Sequence, residues 1–169
     1  MPDYLSVADF KAERRIEHSE EDARISRLLD SAEQRIGDPE NGILRRPVIR
    51  QEFSENFDSF EDVELAHPDG ATISGLTYES AGVSASVTAT YTLEDGRLRL
   101  AYGETWPASV ERVSVTYDAG WSAEDVPEAL KDIGYFIAGQ MYDNADTFDA
   151  ERFRRVLAFM ASGYRRAVI

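Results

Sequence analysis

A strict alternation of apolar and hydroxyl-bearing residues runs from position 83 to position 93. Because a period of two points successive side chains to opposite faces of a strand, this stretch predicts one strand with a buried face and a solvated face. Glu94-Asp95-Gly96 then has the composition of a hairpin turn, and a returning strand is predicted from residue 97. Other short strands are predicted at residues 48–53, 63–66, 73–78 and 112–117.

A period near 3.6 residues replaces this alternation on both sides of the β block. Ser6 with Asp9, and Ser19 with Asp22, each have capping-box spacing and predict two helices before residue 37. Pro127 suits the first turn of a third helix. A fourth helix, after residue 147, is predicted to bury one face formed by Phe153, Val156, Leu157, Met160 and Tyr164.

The order of helices, strands and helices predicts an α+β fold. In this fold a small bundle of about four helices carries a central antiparallel β insertion. We assign residues 1–169 to a single domain. Its predicted parts are N-terminal helices at 1–46, an acidic β insertion at 47–121 and C-terminal helices at 122–169.

Negative charge is concentrated in the middle of the chain. The net charge is −14, and residues 47–126 hold 15 acids against 4 bases, a net charge of −11. Residues 1–46 hold 11 acids and 8 bases, and residues 127–169 hold 6 of each. Surplus carboxylates favour solubility. They disfavour nucleic-acid binding by the middle segment, because phosphate contacts need clustered lysine and arginine.

Cysteine and histidine, which supply most zinc ligands and many catalytic groups, are absent or scarce in the sequence. There is no cysteine, and the two histidines, His18 and His67, are predicted to face solvent beside a helix cap and in a turn. Glycine-rich phosphate loops and a Gly-x-Ser-x-Gly elbow are absent. We therefore expect no enzymatic activity, no catalytic residues, no cofactor and no metal site.

The sequence also lacks a signal-peptide pattern and a window of about 18 apolar residues that could cross a membrane. We therefore expect a soluble protein that is made in the cytoplasm and has no membrane partner.

The junction between the last predicted strand and the third helix carries a family resemblance. Its pattern is a valine- and tyrosine-rich strand, Ala-Gly-Trp, a polar loop and a Val-Pro helix start. The pattern consists of Val113, Val115, Tyr117, Ala119, Gly120, Trp121, Val126, Pro127, Leu130, Tyr142 and Asn144. Together with Leu5–Ala8 and the stretch from Arg15 to Asp22, it resembles the head-to-tail connector (adaptor, head-completion) proteins of tailed bacteriophages, prophages and gene transfer agents.

This resemblance implies a structural virion protein at the head–tail interface, the neck. Members of the family form a ring, commonly a dodecamer of about twelve subunits, between the portal protein and a stopper or tail-completion protein. DNA passes through the central channel during packaging and ejection without sequence-specific binding. Synthesis in the host cytoplasm is implied as well.

Two groups of residues are candidate functional positions. Four arginines of the predicted last helix are expected to contact neighbouring subunits: Arg154, Arg155, Arg165 and Arg166. Four other residues are expected to form a structural joint between the β insertion and the helices, with Gly120 permitting a tight reversal. They are Tyr117, Gly120, Trp121 and Pro127.

Two other classes of function fit parts of the sequence. An acidic DNA-mimic, or another interaction protein, would explain the net charge and would present regularly spaced carboxylates. A carbohydrate-acting β module would need aromatic side chains on an exposed strand face and a cleft lined by carboxylates.

Overall fold

The computed structural model describes residues 3–143, 155–157, 159–160 and 163–164. Within them the helices are α1 (Val7–Arg14), α2 (Asp22–Gly37) and α3 (Glu128–Asp143), and residues 155–157 and 159–160 are also helical. The strands are β1 (Gln51–Phe57), β2 (Thr72–Ser80), β3 (Val83–Ser86), β4 (Tyr91–Glu94), β5 (Arg97–Leu100) and β6 (Arg112–Ala119). All paired strands are antiparallel, and the predicted α+β class is confirmed.

The chain forms two compact units. Residues 1–49 and 121–169 make the helical unit, and residues 50–120 make the β unit. Each unit has a hydrophobic core of its own. The organisation as a single connector domain stays a prediction.

Helix α1 begins as its sequence predicts. The side chain of Ser6 accepts a hydrogen bond from the Asp9 N–H at 3.3 Å, which satisfies one of the unpaired donors of the first turn. The reciprocal bond of a capping box is replaced by a tertiary one, since the Ser6 N–H donates to the Tyr135 hydroxyl at 3.0 Å. The first turn of α1 is therefore tied to α3.

The predicted cap of the second helix is wrong. Helix α2 starts at Asp22, so Glu21 occupies the N-cap position and makes no side-chain capping bond. Ser19 contributes only its main-chain carbonyl, which accepts from the Asp22 N–H at 3.2 Å. The Asp22 carboxylate binds the Lys11 ammonium group at 2.6 Å instead of returning to the helix start.

The core of the helical unit is built from the apolar stripes of α2 and α3. Every third or fourth residue of each helix is buried, which is the spacing that puts side chains on one helical face. Full burial of one leucine or isoleucine side chain contributes roughly 1.5–3 kcal/mol. The buried stripe residues are Ile25, Leu29, Ala32 and Ile36 of α2, and Leu130, Ile133, Ile137 and Ala138 of α3.

A buried carboxylate fastens the N-terminal segment to α2. Glu33 is 8% exposed and accepts the main-chain N–H groups of Asp3, Tyr4 and Leu5 at 2.7, 2.8 and 2.7 Å. Leu5 then packs against Gly134 of α3, where an added Cβ would lie 2.6 Å from its Cδ1. Four consecutive N–H groups, at residues 3–6, are thus bound by side chains of α2 and α3.

We expect Glu33→Gln to change the pH dependence of stability. Burial raises the pKa of Glu33 above its ordinary 4.5, against the lowering effect of the three N–H donors. A carboxyl with a raised folded-state pKa stabilises the fold fully below pH 4.5, and this contribution is lost as the pH rises through the folded-state pKa. As the pH rises from 4.5 through the folded-state pKa of Glu33, the free energy of unfolding of the wild type minus that of Glu33→Gln should therefore fall. Urea unfolding at a series of pH values measures it, and a difference that grows with pH would contradict the assignment.

The β unit contains a four-stranded sheet of order β1-β6-β2-β3 and the separate hairpin β4-β5. Central strand β6 alternates as an amphipathic strand should, with one buried row and one partly exposed row. Its buried row packs with Phe60, Leu76 and Leu98. That row consists of Val113, Val115, Tyr117 and Ala119.

The predicted single strand over residues 83–93 is wrong. The alternation in exposure is present from Ala85 onwards, but Val83, which it places on the buried face, is 66% exposed. The chain pairs with β2 only as far as Val87, whose N–H donates to the Leu76 carbonyl at 3.1 Å. From Tyr91 it pairs with β5 in the second sheet. The period of two indicates which face of a strand is buried, but it does not indicate which strand is the partner. The change of sheet could therefore not be predicted from it.

Of the other predicted strands, two are confirmed, one is absent and one is displaced. The segments around residues 73–78 and 112–117 are strands, and the turn at 95–96 closes the β4-β5 hairpin with φ of 50° at Asp95 and 81° at Gly96. Residues 63–66 form no strand, and within them Glu64 alone makes a bridge, to Arg97. The strand predicted at 48–53 is displaced to 51–57, because Val48 is buried in the helical core.

Candidate functional site

Tyr117, predicted as part of a joint, lies at the centre of a polar cluster in the β unit. Its hydroxyl donates to the Glu55 carboxylate of β1 and accepts the main-chain N–H of His67 at 3.2 Å. Glu55 also accepts the Ala66 N–H at 3.1 Å. Two side chains thus attach the 66–67 segment to the sheet.

The same cluster corrects the prediction for His67. Its imidazole is half-buried and packs against the ring of Phe53, with centroids 4.6 Å apart, so it does not simply face solvent. Phe53 in turn stacks on Tyr117 at 5.5 Å. His18, by contrast, is exposed beside Glu20 as predicted, with Nδ1 3.0 Å from the carboxylate.

We expect Tyr117→Phe to destabilise the β unit. The variant removes the hydroxyl that binds both Glu55 and the His67 N–H, and removing one partner of a buried hydrogen bond costs about 1–3 kcal/mol. Denaturant unfolding followed by far-ultraviolet circular dichroism measures this loss. Tyr102→Phe is the matched control, because the Tyr102 side chain is fully exposed. The control should stay within about 0.5 kcal/mol of the wild type.

The other three joint residues lie at or after the end of β6. Gly120 has φ of 103°. The Trp121 N–H donates to the Val48 carbonyl at 2.8 Å, and its ring lies under the Arg46 guanidinium at 4.6 Å. The Pro127 carbonyl accepts the Leu130 N–H at 2.8 Å, which places Pro127 at the entry to α3.

These four residues are divided between the two units. Tyr117 and Gly120 belong to the β unit, and Trp121 and Pro127 belong to the helical unit. The contacts described for Tyr117, Trp121 and Pro127 lie inside their own units. Their role as a joint stays a prediction.

We expect Gly120→Ala to lower the free energy of unfolding by about 1–3 kcal/mol, because a side chain is strained at a φ of 103°. Gly75→Ala is the control. Gly75 also lies in the β unit but does not have a positive φ, and an added Cβ would meet Thr116 at an ordinary 3.5 Å. Equal losses in the two variants, measured by thermal unfolding, would argue against backbone strain at Gly120.

Of the four arginines predicted to contact neighbouring subunits, only Arg155 lies among the described residues, and it is exposed. Arg154, Arg165 and Arg166 lie outside them. The predicted apolar face of this helix is partly wrong. Leu157 is buried, but Val156 and Met160 are 39% and 37% exposed.

A further apolar side chain on the same helix is exposed. Phe159, which the sequence pattern did not assign to the buried face, is 82% exposed. With Val156 and Met160 it follows the i, i+3, i+4 spacing of one helical face. We call these three residues the apolar row. An exposed row of large apolar side chains is typical of a surface that contacts another protein.

The surface of the β unit is strongly acidic. Residues 50–120 contain 13 acids and 4 bases, a net charge of −9. Three of the four arginines lie beside a carboxylate: Arg97 by Glu64 at 2.8 Å, Arg99 by Glu94 at 3.7 Å and Arg112 by Glu79 at 3.8 Å. This unit therefore lacks the cluster of cations that would hold nucleic acid.

A cluster of arginine side chains and aromatic rings lies at the end of α3 and was not predicted from the sequence. Arg14 of α1 binds both oxygens of the Asp143 carboxylate, at 2.8 and 2.7 Å. Its guanidinium also lies 5.1 Å from the ring centre of Phe10 and 5.9 Å from that of Tyr142. The partners are up to 129 residues apart in sequence, so no local spacing could indicate them.

A second arginine completes this cluster. Arg24 of α2 lies 4.9 Å from the ring centre of Tyr142 and binds Glu21 at 2.9 Å. The Tyr142 hydroxyl donates to Glu21 at 2.6 Å, and this bond, together with Arg24, lowers the pKa of that carboxyl. Positive charge near a helix C-terminus also interacts favourably with the helix dipole.

Among the described residues no group of His, Cys, Asp and Glu could hold a metal ion, and no helix there is long and apolar enough to span a membrane.

Trp106 packs face to face on Phe60 at 4.4 Å, and Trp121 lies beneath Arg46. Neither tryptophan supplies the exposed strand-face aromatic that a carbohydrate-acting module needs.

No protein-family model and no curated protein matches the chain. Among solved structures it is similar to a chain of the "Neck of empty GTA particle computed with C6 symmetry", where GTA denotes a gene transfer agent. The two chains are 22% identical, with a TM-score of 0.66 over 98% of this chain and 91% of the other. At this identity the similarity establishes a shared fold.

Proposed function

We propose that this chain is a structural neck protein of a phage-like particle, a head–tail connector (adaptor) without enzymatic activity. The observation that carries the proposal is the fold shared over 98% of the chain with a protein of a gene transfer agent neck. Copies of it form a ring between the portal protein and the stopper or tail. The related neck was computed with C6 symmetry, which is compatible with a ring of about twelve subunits.

The residues behind the sequence resemblance support this proposal through their structural roles. Val113, Val115 and Ala119 belong to the buried row of β6, and Leu130 belongs to the helical core. Pro127 opens α3. A pattern made of core and turn residues fits a protein that acts through its shape and contacts.

The acidic β unit suits a protein that DNA must pass without being held. Attraction of a protein to DNA grows with each phosphate that Lys or Arg neutralises. A unit of net charge −9, in which three of four arginines are paired, instead repels the phosphate backbone. We propose that this unit borders the DNA channel.

Contacts between subunits are proposed for the last helix. Exposed Arg155 and the apolar row Val156, Phe159 and Met160 lie together on it. The sequence adds Arg154, Arg165 and Arg166. The acidic β unit of a neighbouring copy has the complementary charge.

We expect Arg155→Glu to weaken ring formation on the portal by roughly three- to tenfold, because the reversed charge meets a carboxylate-rich neighbour. Arg27→Glu, which makes the same change at an exposed position of α2, is the control and should bind normally. Electron microscopy of portal rings titrated with each protein measures the fraction that carry a second ring. Equal binding by both variants would contradict the proposal that the last helix contacts neighbouring subunits of the ring.

The proposed function is tested by mixing the purified chain with its cognate portal and imaging the product. A second ring stacked on the portal is the expected result.

The acidic β unit also favours an alternative, a DNA-mimic inhibitor of a DNA-handling enzyme. A chain that stays monomeric beside portal and tail-end proteins, yet blocks a nuclease at submicromolar concentration, would establish the alternative and overturn the connector proposal.

A further inference from the structure

A polar groove lies at the C-terminal end of α2. It has a volume of about 300 Å³ and is lined by residues of the helix and of the loop that follows it. We call it the donor groove. Its lining residues are Ser31, Gln34, Arg35, Asp38, Asn41 and Gly42.

The loop that forms one wall of the groove is held by its own hydrogen bonds. The Asp38 carboxylate accepts the N–H groups of Asn41 and Glu40 at 2.7 and 2.9 Å. The Gly42 N–H donates to the Asp38 carbonyl at 2.9 Å, and a Cβ at Gly42 would lie only 2.5 Å from that oxygen. The groove is therefore preformed, which lowers the entropy that binding must cost.

The groove offers hydrogen-bond donors to a ligand. The last carbonyl groups of α2, at residues 34–36, already accept main-chain N–H groups of the segment that follows. By contrast, the side chains of Ser31, Gln34, Arg35 and Asn41 have no hydrogen-bond or ion-pair partner among the described residues. A guanidinium with a hydroxyl and amide groups beside it is suited to bind a carboxylate.

The β unit contains a loop with the matching chemistry. Residues 58–62, which we call the acidic loop, include three exposed acids, Asp58, Glu61 and Asp62, and no base. Phe60 between them is buried and anchors the loop to the core of the β unit. Asp58 and Glu61 have no ion-pair partner in the part of the chain that the structure describes.

We propose that the donor groove of one subunit binds the acidic loop of the next subunit in the ring. The Arg35 guanidinium then faces the carboxylates of Asp58 and Glu61. Since the two surfaces are different parts of the same chain, the contact is head-to-tail, and its repetition closes into a ring. This inference rests on the proposed function and adds a contact to the one proposed for the last helix.

Nucleic acid fits the donor groove poorly. Arg35 is the one cation among its lining residues, and Asp38 also lines it. Contacts to a row of phosphates need clustered lysine and arginine, whereas a carboxylate side chain needs one guanidinium and neutral donors. A neighbouring copy supplies such carboxylates, because its β unit has a net charge of −9.

The contact is tested by reversing the charges on each side. Portal rings are titrated with Arg35→Glu, with Asp58→Lys/Glu61→Lys, or with a variant that combines all three changes. Electron microscopy measures the fraction of portals that carry a second ring. We expect each one-sided variant to need roughly three- to tenfold more protein than the wild type. The combined variant should return to within about twofold of the wild type, because the reversed charges attract each other again.

Arg27→Glu is the matched control, since it reverses an exposed arginine of α2 that does not line the groove. It should bind normally. Thermal unfolding should be nearly unchanged in every variant, because each replaced side chain is exposed.

The absence of cysteine from the chain permits a direct test of the pairing. A variant with both Asn41→Cys and Glu61→Cys is assembled on the portal and treated with a short bismaleimide cross-linker. Denaturing electrophoresis should show a ladder of linked subunits. Neither cysteine alone should give the ladder, because each is expected to face the other position on the neighbouring subunit.

Two results would overturn this contact although a ring forms. One is the absence of both the charge-reversal rescue and the cross-linked ladder. The other is weak binding by Arg35→Glu with normal binding by the acidic-loop variant, because the occupant of the groove would then belong to the portal. If the wild type forms no ring on the portal, the proposed function is rejected and the contact with it, so the two failures are distinguishable.

Discussion

Pairing of β6 on both of its edges is the interaction on which the β unit depends. The strand is hydrogen-bonded to β1 over seven residue pairs and to β2 on the other side, and it supplies four buried residues to the core. Tyr117 adds a side-chain attachment to β1 and to the 66–67 segment. Strands β4 and β5 form a separate two-stranded sheet, so they are attached to the rest of the unit through core packing around Leu98 and through the bridge from Arg97 to Glu64.

The helical unit is organised by contacts between residues far apart in sequence. Glu33 of α2 binds the N-terminal segment, and Tyr135 of α3 binds the start of α1. At the far end of α3, Arg14 and Arg24 meet the ring of Tyr142. All three helices are therefore joined by charged or polar groups in addition to their apolar stripes.

The features predicted correctly from the sequence are those that local chemistry determines. Ser6 caps a helix because its partner is three residues away, and the hairpin turn at Asp95-Gly96 forms because both residues accept a positive φ. The α+β class follows from the change of period. Local patterns could not reveal the change of sheet after Val87, because alternation identifies a face and not a partner.

The same limit applies to the candidate site. Arg155 could be singled out by its charge, but the exposure of Phe159 depends on what the helix packs against. In the sequence, Tyr102 follows Leu98 and Leu100 at the spacing of one strand face. The hydrogen bond between Glu104 and Ala101 turns the chain there and leaves the ring in water.

The positions of the two tryptophans give the protein a pair of separate optical reporters. Trp106 is stacked on Phe60 in the core of the β unit, and Trp121 lies beneath Arg46 in the helical unit. The chain has no other tryptophan. Replacing one of them with phenylalanine leaves a fluorophore that follows a single unit, so the order in which the two cores melt can be read from the emission of each variant.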